Sequence, residues 1–169
     1  MSYVFFERSE NMYDALKGGY NKQDFQTFLE ENSVAALAVV SKQWGVQVTS
    51  VFYAVEGDMS ILIKSHVTSD HGKEMMLNNK VSLAIYDKQS SYSQKKGMQL
   101  RGICERITDA EEMRNAVKIY SDRFEGAAAR FLPIEELISE DVKSTLFRIK
   151  IQSGKMITPE GYSPEFQEF

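Results

Sequence analysis

The chain has 169 residues, 43% of them hydrophobic, and 20 Lys plus Arg against 24 Asp plus Glu give a net charge of −4. That is enough for one domain with a substantial core, and the acidic balance, with no basic tail or stripe, argues against nucleic acid as a partner. A lone Cys104 rules out an intramolecular disulfide, charges interrupt the N-terminal MSYVFFERSENMYD where a signal peptide needs an apolar core, and no run approaches the ~20 apolar residues of a membrane span, so a soluble, cytoplasmic protein is expected.

Phe25, Phe28 and Leu29 fall at helical spacing between Asn21 and Asn32, with Asn21 as N-cap. VAALAVVS (34–41) is an apolar run of strand length, and after the turn-like KQWG comes VQVTSVFYAVE (46–56), rich in β-branched and aromatic residues. Gly57-Asp58 marks a second turn before MSILIKS (59–65), where Ile61 and Ile63 alternate with Leu62 and Lys64. Three successive antiparallel strands are therefore expected.

KSHVTSDHGKEMM (64–76) breaks this pattern and leads into a helix. The first turn of a helix leaves backbone N–H groups unpaired and favours negative charge, so a phosphate suits such a junction. Ser65, Thr68 and Ser69 offer hydroxyls, His71 an imidazole, and Lys64 or Lys73 a positive charge. The competing reading is structural: Thr68 or Ser69 as an ordinary N-cap, with Lys73 solvated. A metal is not expected, because His66 and His71 are five residues apart, share no helical face and have no third ligand nearby.

VSLAIYD (81–87) alternates again, and the polar loop KQSSYSQKKG (88–97) leads to MQLRGICERI (98–107), with Met98, Leu100 and Cys104 opposite Gln99, Arg101 and Glu105. Thr108 to Glu111 fits a capping box, so a helix is expected from there, with Met113, Val117, Tyr120 and Phe124 packing on the barrel. The acid-rich IEELISED (134–141) reads as a solvated segment, TLFRIKIQ (145–152) as a last strand, and GYSPEFQEF as a loose tail. The total is about six strands and three or four helices. This predicts a mainly β chain with flanking helices (α+β), a six-stranded antiparallel barrel, closed or nearly closed, in a single domain 1–169 with a core over 30–152 and a tail over 153–169. A barrel with an apolar exterior usually hides it in a dimer, so a homodimer is expected.

The run from TSDHGKEMMLNNKVSL to GMQLRGICERI, in this order and spacing, resembles the FMN-binding split-barrel family related to pyridoxamine 5'-phosphate oxidase, over roughly residues 30–152. Within it the chain is similar to a poorly characterised bacterial subfamily, through TSDHGKEM (68–75) and YSDRF (120–124). The resemblance implies an FMN-binding split β-barrel and a homodimer with FMN in grooves between the subunits. VTSVFY (48–53) occupies the position of the strand that lines the flavin ring with backbone groups, which implicates Thr49, Ser50 and Val51. The phosphate stretch aligns with Ser65 and SDHGKEM, implicating Ser69, His71 and Lys73, while Gln99 and Arg101 would reach the flavin or its tail from the second subunit. Thr49 and Ser50 also read as plain barrel hydroxyls, and Gln99 and Arg101 as a solvated face. Two departures stand out: Asp70-His71 replaces the family's Arg-Lys pair, and MITPEGYSPEFQEF, with neither Arg nor His, is not the arginine- and proline-containing C-terminal segment typical of true pyridoxamine phosphate oxidases, so vitamin B6 oxidation is not expected.

No GxSxG, GxxxxGK[ST] or HExxH is present, and no side chain is singled out as catalytic acid, base or nucleophile. Two functions remain open. One is an FMN-dependent oxidoreductase acting on a small or planar substrate; the other is a non-catalytic binding protein for a flavin or another phosphorylated or planar ligand.

Overall fold

The computed structural model describes residues 22–57, 59–87, 91–158, 161–162 and 166–167. Asn21 and Asp58, read above as a helix cap and a turn residue, lie outside these, as do parts of the 88–97 loop and of the tail. Helix α1 (Lys22–Glu31) buries Phe25, Phe28 and Leu29, and the Tyr53 hydroxyl donates to the Leu29 carbonyl at 2.9 Å. Strands β1 (Val34–Ser41) and β2 (Gly45–Glu56) form the expected hairpin. Its turn is held by the Ser41 hydroxyl, which accepts from the N–H groups of Gln43 and Trp44, and by Gly45 at φ +78, a conformation that costs glycine nothing.

Strand β3 (Ser60–His66), helix α2 (Asp70–Leu77), β4 (Lys80–Tyr86), β5 (Gly97–Arg106), α3 (Ala110–Arg123), the short α4 (Ile134–Leu137) and β6 (Ser144–Thr158) follow. The sheet order is β3-β2-β1-β4-β5-β6, and pairing of β3 with β6 closes it into a six-stranded antiparallel barrel with flanking helices. Period-two alternation sorts the side chains: Leu37, Val51, Ile61, Ile63, Leu83 and Phe147 fill the interior. Leu62, Ala54 and Leu146 point outward beneath α3, where Met113, Ala116 and Tyr120 cover them in a second core.

Two local expectations change. The capping box from Thr108 does not form; Asp109 is the cap of α3, its carboxylate accepting from the N–H groups of Glu111 and Glu112 at 2.9 Å each. A carboxylate does this as well as a hydroxyl and adds a favourable interaction with the helix dipole. The last strand is longer than TLFRIKIQ: its first half pairs with β3, β5 spans most of its length, and the short strands β7 (Gly161–Tyr162) and β8 (Phe166–Gln167) add to its end, so this part of the tail is strand-paired. A register slip between Arg101 and Gly102 bends the pair there.

Arg148 fastens α3 to the barrel. Its guanidinium holds Glu56 through Nε (2.6 Å) and Nη2 (3.1 Å) and Glu112 through Nη1 (2.6 Å), with only 16% of the Arg148 side chain and 14% of Glu56 exposed. Arg148→Met should cost about 2 kcal/mol in a urea unfolding experiment, because it strands a largely desolvated carboxylate; a loss within error would mean that apolar packing alone holds the helix. Cys104 is buried, its Sγ 3.4 Å from Sδ of Met75, and burial pushes its thiol up to about 12, which makes it an inert packing residue. No helix among the described residues is long and apolar enough to cross a membrane.

The feature that positions a site is a parting of two strands. The β2–β3 ladder covers only Tyr53–Glu56 opposite Ser60–Ile63. Beyond it Lys64, Ser65 and His66 continue on β6, opposite Leu146, Thr145 and Ser144, while residues 45–52 keep β1 on one side and no strand on the other among the described residues.

Candidate functional site

Where β3 has left β2, the turn after His66 leads into the first turn of α2. Ser69 caps this helix, its hydroxyl accepting from the Gly72 N–H (3.1 Å) and donating to the His66 carbonyl (2.7 Å), so the structural reading of Ser69 holds. The N–H groups of Asp70 and His71 are then the ones left to a ligand at the helix start. Nε2 of His71 lies 2.9 Å from the buried Ser65 hydroxyl and 3.3 Å from that of Ser69. With the Ser69 proton committed to a carbonyl, a proton on Nε2 is shared between the Ser65 and Ser69 oxygens; in the other tautomer the Ser65 hydroxyl donates to Nε2.

Burial holds the His71 imidazole below its usual pKa of 6.5, with Asp70 opposing the shift and His66 adding to it slightly. Below 6.5 the unfolded chain takes up a proton that the folded chain resists, so stability should fall as pH drops below that value and level off above it. Urea midpoints measured between about pH 5 and 7 should show this slope in the native chain and lose it in His71→Asn. Equal slopes would show that His71 titrates as freely in the folded state as in the unfolded one.

The remaining predicted residues do not all converge here. Lys64 and Ser65 are sequence neighbours on a strand and so face opposite sides. Ser65 meets His71, whereas the Lys64 ammonium donates to the Arg130 carbonyl at 2.7 Å and lies 4.6 Å from the centre of the Phe131 ring. Thr68 is exposed on the turn, and Lys73 is exposed and two residues beyond His71, a spacing that does not share a helix face. Of Thr49, Ser50 and Val51 only Ser50 points its side chain outward; Val51 is buried in the core and Thr49 shares its side, so what these residues have in common is a backbone edge with no strand beside it among the described residues.

Gln99 and Arg101 lie elsewhere on the barrel. The register aligns Ser50, Ala36, Ala84, Gln99 and Lys155 in one row and Val48, Ala38, Ser82, Arg101 and Ser153 in the next. Three strand spacings, roughly 14 Å, separate Gln99 from Ser50, so one chain alone does not bring these groups together. Between them runs a shallow groove of ≈ 290 Å³ floored by Ala36, Ala38 and Ala84. Val34, Val40, Val46, Val48 and Phe52 stand exposed on the same outer face, Val48 by 66%.

The sequence reading missed a second cavity, of ≈ 460 Å³, that shares Ser65 with the cradle. Phe52, Tyr120 and Phe124 form its aromatic wall, with Phe52 and Phe124 edge to face at 5.6 Å and Tyr120 and Phe124 at 4.8 Å. Lys64, His66 and Arg130 bring nitrogen groups to it. The only sequence signal was YSDRF at the end of the α3 stripe: Met113 packs on the barrel as that stripe predicts, with Val117 partly buried beside it, but Tyr120 and Phe124 also line this cavity. Among the described residues no three His, Cys, Asp or Glu side chains gather into a metal-binding group.

Residues 22–157 match the family model described as pyridoxamine 5'-phosphate oxidase. No curated protein matches the chain. Among solved structures, a heme binding protein from Mycobacterium smegmatis superposes with a TM-score of 0.70 at 17% identity, over 84% of this chain and 55% of that one, so this chain spans about half its length. The heme storage protein HutZ from Vibrio cholerae gives 0.62 at 16% identity, over 81% of this chain and 93% of that one. A nimC/nimA family protein from Clostridium acetobutylicum gives 0.64 at 17% identity, over 86% and 91%. At these identities the likeness is one of fold.

Proposed function

The chain belongs to the pyridoxamine 5'-phosphate oxidase family, and from that premise we propose that it is a homodimeric FMN-binding protein acting as a flavin-dependent oxidoreductase on a small or planar substrate. The observation that carries this reading is the parting of β2 and β3, which leaves residues 45–52 without a strand partner on one side among the described residues, with the Ser65, Ser69 and His71 side chains gathered at the start of α2. A flavin needs backbone donors and acceptors along its ring edge and an anion cradle at its tail. The residues fit both demands. Ser65, Ser69, His71 and the first amides of α2 would hold the phosphate, the β2 edge would hold the ring, and Gln99 and Arg101 of a second copy would reach it from across the dimer. Bound FMN would carry the electrons; the protein positions it, and no side chain need act as acid or base.

With Asp70-His71 in place of Arg-Lys, the cradle works through hydrogen bonds more than charge, so retention of FMN should be weaker than a doubly cationic site allows. Incubation with FMN, removal of the excess and a visible spectrum test the proposal: flavin bands that stay with the protein are the expected result, and a colourless protein would overturn it. His71→Ala should weaken FMN binding about tenfold, the effect of one lost hydrogen bond to a charged group, with the fold intact. Unchanged affinity in a flavin titration would reduce His71 to a helix-start residue. Reduction of the bound flavin by NADH or NADPH at a catalytic rate separates the enzyme from a non-catalytic flavin binder.

A second reading follows from the neighbours named for heme, and one feature favours it. His66 is exposed at the aromatic cavity, where its imidazole is open to the metal of a planar ring. A Soret band that forms with added hemin and is lost in His66→Ala would select this reading over the flavin one.

A further inference from the structure

The cavity beside the cradle has features that a flavin site does not call for. Two cations, Lys64 and Arg130, face it, and neither forms an ion pair with a carboxylate among the described residues. The Lys64 ammonium donates to the Arg130 backbone carbonyl at 2.7 Å, which keeps it beside Arg130, and burial and the Arg130 charge both push it below the usual lysine range. Like charges kept close in a partly desolvated space are relieved by an anion bound between them. One wall is aromatic, made by Phe52, Tyr120 and Phe124, with Phe52 and Phe124 edge to face. Glu125 on the rim offsets one of the two positive charges, which disfavours a dianion relative to a monoanion.

We propose that this cavity binds a planar aromatic carboxylate of one or two rings, its ring against Phe52 and Phe124 and its carboxylate between Lys64 and Arg130. The volume of ≈ 460 Å³ lies within the range of small-molecule sites. A guanidinium presents the paired donors that match a carboxylate, and aromatic stacking adds specificity for a flat ligand. As a substrate site this rests on the flavin reading, because the shared Ser65 puts the ligand next to the flavin cradle; as a binding site it stands without it.

Titration calorimetry with 2-naphthoate, with 2-naphthamide as the uncharged control, tests the assignment on the full chain with and without FMN. The naphthoate should bind at least about tenfold more tightly than the amide, and Arg130→Gln and Lys64→Gln should each remove about that factor for the naphthoate alone. Arg130 is exposed, so its variant should melt with the native chain, which keeps the test valid if Lys64→Gln unfolds. Equal affinity for acid and amide, or variants that bind the acid normally, would overturn the proposal. Discrimination in a protein that holds no flavin would uphold the site while sinking the flavin reading, and a flavin-loaded protein blind to the naphthoate charge would do the reverse.

Discussion

Gly72→Ala is expected to lower stability by about 3 kcal/mol and to abolish ligand binding at the start of α2. A Cβ at this position would overlap the His66 carbonyl oxygen and sit 2.9 Å from the Ser69 hydroxyl. Neither neighbour can yield. The same carbonyl accepts from the Ser69 N–H at 3.2 Å and the Ser69 hydroxyl at 2.7 Å, and the hydroxyl in turn accepts from Gly72. One methyl group therefore pushes apart the turn, the cap and the first amides together. Gly57→Ala, where a Cβ meets nothing within 4 Å, is the control and should stay within about 0.5 kcal/mol of the native chain. Urea unfolding of the two variants checks the contrast, and equal stabilities would mean that the α2 turn shifts to make room at little cost.

Val48→Asp is expected to convert the proposed homodimer to a monomer with the barrel intact. Val48 points out of the barrel and is 66% exposed, in a face that also carries Val34, Val40, Val46 and Phe52, so the substitution leaves the core untouched. Burying an unpaired carboxylate twice in a two-fold interface costs roughly 4 kcal/mol or more, a thousandfold or greater rise in the dissociation constant. Sedimentation velocity reads the change directly. If Gln99 and Arg101 complete the flavin site from the second copy, the monomer should also lose flavin. A variant that still sediments as a dimer would place the interface elsewhere.

The barrel was legible in the sequence because each strand carries its own period: Ile61 and Ile63 against Leu62, or Leu83 and Ile85 against Ser82, announce a two-faced strand without knowledge of its neighbours. The junction at 64–76 was legible for a similar reason, since a hydroxyl before a helical run is a local cap signal, and Ser69 does cap α2. The choice between Thr108 and Asp109 was less so, because two adjacent capping residues compete within one turn and the backbone decides.

The site was only partly legible. Ser65, Ser69 and His71 converge because they lie within one turn of chain, whereas Lys64 leaves them for Arg130 and Phe131, brought close by a connection 66 residues away in sequence. Phe52 and Phe124 read as an ordinary strand aromatic and a core stripe; that they share a cavity depends on α3 crossing the outside of the barrel.

By itself, then, the sequence determined the six barrel strands, the caps of α2 and α3 within one residue, the closed barrel class and the chemical character of the turn before α2, all of which rest on patterns a few residues long. Tertiary structure alone decided where β2 and β3 part, which side of β3 each polar group faces, and which distant residues meet around the cavity. The reason is physical: periodicity and capping are short-range, but closing β3 onto β6 frees the edge of β2, and the path of α3 sets the aromatic wall, and both are set by contacts between segments far apart in the chain.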